Sequence, residues 1–313
     1  MNRLHRSMVA LSVVALVAGA AAGGDKLWGT SYLTTSYYSG AQLWTVDTAT
    51  GNVSMIRSYD PTTDELDGDG IKGFGDIADP GNGYLYVTVY TEGTQSFDLL
   101  AKLDPTTGTI LNHWDICDAY PTYTYSHGMD GSSVKATVNS LRAHDGKLYG
   151  IEGGGVDNAG LVTITLDAAG DFVSRSDSGD AGYMADGDLA IHPTTGTWYG
   201  TFWTSTGSTL DTIDPSTGNG TTGPNTGIGS GGGSCAGLAF TSDGTLWAGS
   251  WADRKLYTID SLTTGGHTEV YDLGVGDQIG GHITGLAVPE PMTLGLLALG
   301  GVGALARRRR RRA

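Results

Sequence analysis

The sequence predicts an all-β chain in which five four-stranded blades close into a β-propeller ring. Three observations point there. A unit reading roughly G-L-A, then L-W or L-Y, then L-Y-x-I-D-x-x-T-G recurs along the chain. Between the recurrences, short runs of alternating apolar and polar residues are separated by Asp-Gly, Asn-Gly and Thr-Gly pairs, the pattern of antiparallel strands joined by tight turns. Finally, 51 glycines beside 9% aromatic residues suit a turn-rich β structure with a Trp/Tyr core better than a helical domain.

The most regular unit is AGLAFTSDGTLWAGSWADRKLYTIDSLTTGG, residues 236–266. Further copies cover 75–110, 139–172 and 187–220, each with a first strand, an L-Y or W-Y strand and a D-x-x-T-G-like turn. Asp47, Asp104, Asp167, Asp214 and Asp260 mark those turns. Their spacing is close to the roughly 40 to 50 residues of a four-stranded blade, with room for loops.

The first unit, 26–53, lacks a G-L-A strand; TGLAV at 284–288 supplies it from the other end of the body. A closing strand of this kind removes the open edge that an unclosed array would expose. Six blades are the alternative count, because HWDICDAYPTYTYSHGMDGSSVKATV (113–138) is long enough to hide a degenerate blade; we read it as a Tyr-rich loop.

The two ends differ from the body. Residues 1–24 combine a basic start (Arg3, Arg6), a short apolar run and small residues, as in a secretory signal peptide. Residues 289–313 hold Pro289, Glu290 and Pro291, then a mostly apolar run at 292–306, then six arginines at 307–312. The run is short of the roughly 20 residues of a permanent membrane span. The body, 25–288, is a separate unit.

The chain carries a net charge of −15. Eight of its 18 Lys and Arg lie in the two ends, against one of its 33 Asp and Glu, so the body alone carries about −22. That field excludes nucleic acid as a partner of the body and favours solubility and divalent cations.

Candidate chemistry is sparse, and none of the seven histidines has metal-ligand spacing. In ELDGDGIKGFGD, Glu65, Asp67, Asp69 and Asp76 fall at positions 1, 3, 5 and 12 of an EF-hand-like loop, which would take Ca²⁺; a solvated acidic loop is the other reading. Asp76 and Asp188 occupy one repeat position before the innermost strand, where they could hold a cation or polar ligand at the channel mouth or cap the strand. His144 and His192 share a turn position after the first strand of their units. Tyr37, Tyr38, Tyr120, Tyr123, Tyr125, Trp203 and Trp251 could stack on sugar rings, whereas Trp247 and Tyr257 belong to the core. Cys117 and Cys235 permit one disulfide in an oxidising compartment or serve as separate core residues.

The L-Y-x-I-D-x-x-T-G repeats resemble those of quinoprotein-like and NHL/YVTN-type propellers of exported bacterial proteins. The ordered tail of VPEP, apolar run and arginines resembles the PEP-CTERM sorting signal of Gram-negative bacteria. That resemblance implies transient retention in the inner membrane, recognition by a membrane-embedded exosortase, and delivery to the cell surface, outer membrane or surrounding polymer. Two functions follow as expectations: a surface or matrix propeller that binds exopolysaccharide or a surface protein, or a lactonase-like hydrolase or lyase outside the cytoplasm. The absence of a catalytic signature favours the first.

Overall fold

A computed structural model describes residues 25–36, 38–92, 97–117, 123–124, 133–134, 137–153, 160–178, 187–204, 206–229 and 235–290. Residues 1–24, where the sequence suggests a signal peptide, and Pro291 with the rest of the tail lie outside these residues.

The described strands form five blades around a ring. Blade 1 runs outward as Ile283–Ala287, Lys26–Tyr32, Ala41–Asp47 and Val53–Tyr59. Blade 2 runs as Asp69–Ala78, Leu85–Thr91, Phe97–Leu103 and Ile110–Asp115, with the short Glu65–Leu66 folded back on its first strand. In blade 3 the inner position is shared by Thr137–Val138 and Arg142–His144, both paired with Lys147–Gly153; Leu161–Leu166 and Phe172–Ser178 follow. Blade 4 comprises Leu189–Ile191, Trp198–Thr204, Gly207–Ile213 and Gly220–Thr221. Blade 5 comprises Cys235–Phe240, Leu246–Ser250, Lys255–Ile259 and His267–Asp272.

Closure follows the sequence expectation. Ile283–Ala287 pairs antiparallel with Lys26–Tyr32 in the register Trp28↔Ala287, Gly29↔Leu286 and Thr30↔Gly285. The ring is five-fold, because five buried apolar clusters each fill one junction between neighbouring blades. Leu27, Trp44 and Val46 of blade 1, for example, meet Trp247 and Leu256 of blade 5. Strand alternation sends one side of each sheet into one junction and the other side into the next, so inner strands such as Lys26–Tyr32 and Ala41–Asp47 are buried on both sides. The segment 113–138 contributes no sixth blade among its described residues: Tyr123–Thr124 pairs only with Ser133–Val134.

The D-x-x-T-G turns explain why that motif repeats. The Asp47 carboxylate accepts the N–H groups of Ala49 and Thr50, both at 2.9 Å, and the Gly51 N–H closes the turn on the Asp47 carbonyl at 2.8 Å. Asp104 and Asp214 cap their turns in the same way. Gly51 has φ of 72°, and a Cβ there would lie 2.4 Å from the Tyr271 ring of blade 5. The glycine therefore serves the turn and the neighbouring blade together. Tyr271 also donates its hydroxyl to the Thr48 carbonyl at 2.9 Å, and Tyr59 of blade 1 donates to the Gly108 carbonyl of blade 2.

Two sequence alignments need correction. In blade 5 the loop is one residue longer, and Ser261 takes the capping place expected of Asp260: Gly265 N–H bonds the Ser261 carbonyl at 2.9 Å and Thr264 N–H bonds its Oγ at 3.2 Å. The two histidines also part company. His192 caps a D-x-x-T-G-like turn, its Nδ1 accepting from Thr194 N–H at 3.2 Å and Thr195 N–H at 3.3 Å. His144 instead flanks a two-residue Asp145-Gly146 hairpin turn with φ of 49° and 72°. Its ring is thereby free of a capping duty.

Candidate functional site

The innermost strands bring equivalent repeat positions to the centre of the ring. Those positions read Asp76, Ser140, Asp188, Gly237 and Gly285, in GDIA, NSLR, GDLA, AGLA and TGLA. Asp76 Oδ1 accepts the N–H of its own neighbour Ile77 at 2.7 Å, and Oδ2 accepts the N–H of Leu141 in blade 3 at 2.6 Å. Asp188 repeats this two blades on, accepting from Leu189 N–H and from Leu238 N–H of blade 5, each at 2.5 Å. Behind them, Thr88 and Thr201 hydroxyls accept the N–H groups of Asp76 and Asp188 at 3.1 and 2.9 Å. Each aspartate thus ties one blade to the next.

The two carboxyl groups also meet each other across the centre, within hydrogen-bonding contact. Two carboxylates at that distance cannot both stay ionised away from water. Burial and the neighbouring Asp188 push Asp76 well above the usual carboxylate range, and burial pushes Asp188 up to about 6. The pair therefore keeps a proton to higher pH than an ordinary carboxyl group would. Gly285 makes room for it, since a Cβ there would lie 2.0 Å from Asp76 Oδ1.

Both aspartates are fully buried. Of the two sequence readings, channel-mouth ligand and strand cap, the geometry fits the cap: each aspartate accepts the N–H of the residue after it, and both of its oxygens are engaged by backbone N–H groups. What the pair can do chemically is hold a proton and fasten blades 2 to 3 and 4 to 5.

Beside them lie Arg142 and Asp79, which the sequence reading passed over, and Glu290, which it read only as part of the C-terminal motif. Arg142 follows Leu141, is only 7% exposed, and its Nε lacks a hydrogen-bond partner. Burial alone would lower its pKa, and the charges of Asp188, Glu290, Asp76 and Asp79 oppose that. Asp79, raised by burial, accepts from Trp28 Nε1 at 3.0 Å and Gly81 N–H at 2.9 Å. Glu290 reaches the same place: its N–H donates to the Asp79 carbonyl at 3.1 Å and its Oε1 lies 3.9 Å from His144 Nδ1. Burial pushes Glu290 up to about 7, against the pull of Arg142. The signal available in the sequence was the arginine of NSLR, which stands where the four other units have alanine.

The other predicted residues lie apart. Glu65–Leu66 and Asp69–Gly70 pair as a hairpin around Asp67 and Gly68, whose φ values are 55° and 91°. Asp67 engages His113 Nε2 at 2.9 Å, at the edge of an outer groove of about 420 Å³ that also contains the 2.6 Å Arg57–Asp64 ion pair. Asp76 is in the ring interior, so Glu65, Asp67, Asp69 and Asp76 do not share one loop. Among the described residues, no three His, Cys, Asp or Glu side chains converge as a metal site.

Cys117 and Cys235 do not pair, which corrects the disulfide expectation. They are buried in different junctions, Cys117 between blades 2 and 3 and Cys235 between blades 4 and 5. Burial pushes both thiols up to about 12. A thiol reagent is expected to leave both unreacted in the native protein and to titrate two thiols after unfolding, with no disulfide mass loss.

Of the aromatic candidates, Tyr38 stacks on Tyr90 with centroids 4.2 Å apart, and Trp251 stacks on His282 at 4.0 Å. Tyr37, Tyr120 and Tyr125, and the side chains of Tyr123 and Trp203, lie outside the described residues.

Fold and site together define a five-bladed propeller whose closing strand runs directly into a C-terminal motif. Residues 287–311 match the PEP-CTERM protein-sorting motif, which marks an exported chain with a C-terminal membrane segment for processing. No curated protein matches the chain. Among solved structures, a nidogen/laminin complex is similar at 9% identity, covering 85% of this chain and 99% of that one with a TM-score of 0.46. A putative 6-phosphogluconolactonase from Bacteroides fragilis is similar at 10% identity, covering 87% and 99%, TM-score 0.40. The periplasmic gluconolactonase of Pseudomonas aeruginosa is similar at 12% identity, covering 78% and 67%, TM-score 0.40. Such distant likenesses say nothing about chemistry.

Proposed function

We propose that the chain is an exported propeller that binds its ligand without turning it over. On this reading it is retained in the inner membrane by its tail, processed by an exosortase, and released to the cell surface, outer membrane or surrounding polymer of a Gram-negative bacterium. Its partner there is an exopolysaccharide or a surface protein. One observation carries the reading: a sorting motif abuts the strand that closes an otherwise complete ring. The central acids support it, because their oxygens are committed to blade-to-blade hydrogen bonds and they are shut off from any substrate.

Mass spectrometry of the protein from envelope and medium tests the processing half, the expected result being a surface or extracellular form lacking the residues after the motif. Retention of that form on exopolysaccharide above an inert acidic protein tests the binding half. Turnover of a lactone or polysaccharide by the same material would replace binding with catalysis.

A further inference from the structure

Glu290 belongs to the sorting motif and also to the propeller. The face of the ring that carries the D-x-x-T-G turns gathers the body's two ends: Thr48 N–H bonds the Asp25 carbonyl at 3.1 Å, Ser242 N–H bonds the Asp25 carboxylate at 2.6 Å, and Glu290 N–H bonds the Asp79 carbonyl at 3.1 Å. Val288 is 7% exposed, so the chain stays packed beyond the last strand residue. Pro289 is then exposed, and the Glu290 side chain turns back in at 21% exposure. It faces His144 and Asp145 on the blade 3 hairpin, Arg142 on the inner strand and Asp79 on blade 2.

We propose that the folded propeller seats its own sorting motif, holding Glu290 beside Arg142 and Asp79 by its backbone N–H and its carboxyl group, so that the motif must be lifted from this seat before the processing enzyme can read it. The inference rests on the reading of the tail as a processed sorting signal. Two facts about the seat make it more than a chance contact. The Arg142 Nε is a buried donor with no hydrogen-bond partner, and Glu290 is one of the four acids whose charges favour its ionised guanidinium. The chain is also short here: with about 3.3–3.6 Å per extended residue, the two steps from Glu290 to Met292 span about 7 Å. With the tether that short, an enzyme reading the motif must reach Glu290 while its N–H is bonded to this face. Unseating 289–290 lengthens the tether and exposes the glutamate's carboxylate and N–H.

Amide hydrogen exchange on the full chain tests the seat. The Glu290 N–H is expected to exchange at least tenfold slower than an unstructured amide, and at the unstructured rate in Glu290→Ala, which leaves the ring intact. His144→Asp, which sets a second negative charge beside the carboxylate, is expected to give the same release and to lose its tail faster than the wild type in the exporting cell. An unprotected Glu290 amide in the wild type would overturn the seat. A protected amide with equal rates of tail removal in wild type and His144→Asp would overturn its control over processing. If no tail is removed from either protein, the processing reading itself fails and takes the control with it, whereas the amide rates still decide the seat.

Discussion

Replacing Asp188 by alanine is expected to lower stability by about 3 kcal/mol or more, the largest effect of any single substitution considered. The Asp188 carboxyl group accepts from Leu189 N–H in its own blade and Leu238 N–H in the next, both at 2.5 Å. Alanine leaves two buried backbone donors with no acceptor, each costing about 1–3 kcal/mol. Asparagine is expected to recover about half of the loss, because its carbonyl can accept one of the N–H groups while its NH₂ confronts the other. Asp76→Ala strips Ile77 and Leu141 in the same manner. Since the two carboxyl groups touch, the double variant is expected to cost less than the sum of the single variants. Denaturant midpoints at constant m-value measure all four; a loss under about 0.5 kcal/mol for Asp188→Ala would contradict the latch.

The same pair makes stability fall as the solution becomes alkaline. A carboxyl group whose folded pKa lies above its unfolded value of about 3.9 contributes fully below that value, and the contribution is lost as pH rises through the folded pKa. Asp76, raised well above, and Asp188, at about 6, behave this way, and burial raises Asp79 and Asp211 in the same sense. Asp47, Asp60, Asp167, Asp214 and Asp243 act oppositely: hydrogen bonds from their own turns hold them below the usual range, so their contribution is present above about 4 and lost in stronger acid. The two sets leave a maximum between about pH 4 and 6. Above it, each proton that the folded centre keeps and the unfolded chain has lost removes about 1.4 kcal/mol per pH unit. The melting temperature is therefore expected to drop between pH 5.5 and 8.5, and to drop less in Asp76→Asn, where one of the two acids is absent. A melting temperature that rises over this range would contradict a shared proton.

The parts of this fold that were legible in the sequence are those in which a residue's duty is local. Asp47, Asp104 and Asp214 cap turns made by the next four residues, so their pattern survives in the linear order and counts the blades. TGLAV could be matched to the missing first strand because its alternation repeats that of AGLA. Duties performed between distant segments were not legible. Asp76 and Asp188 could be read as strand caps or as channel-mouth ligands, and nothing in GDIA or GDLA says that Leu141 and Leu238, 65 and 50 residues away, will arrive to donate. ELDGDG can be read as a calcium loop or as a hairpin, since Asp-Gly serves both; Leu66 and Ile71, buried in the junction of blades 1 and 2, fit it to the hairpin. The place of Glu290 was hidden for the same reason, its partners being 146 and 211 residues upstream at His144 and Asp79.

The closing strand has a mechanical consequence. Because the tail is continuous with Ile283–Ala287, tension on the tail that overcomes the Glu290 seat passes into that strand, along its length and against the registered pairs with Lys26–Tyr32. Loaded in shear, those hydrogen bonds resist together instead of parting one after another. Were they to yield, blade 1 would lose its innermost strand and the ring would open where the last described strand meets the first, so that join sets the force this molecule can bear while it is still tethered.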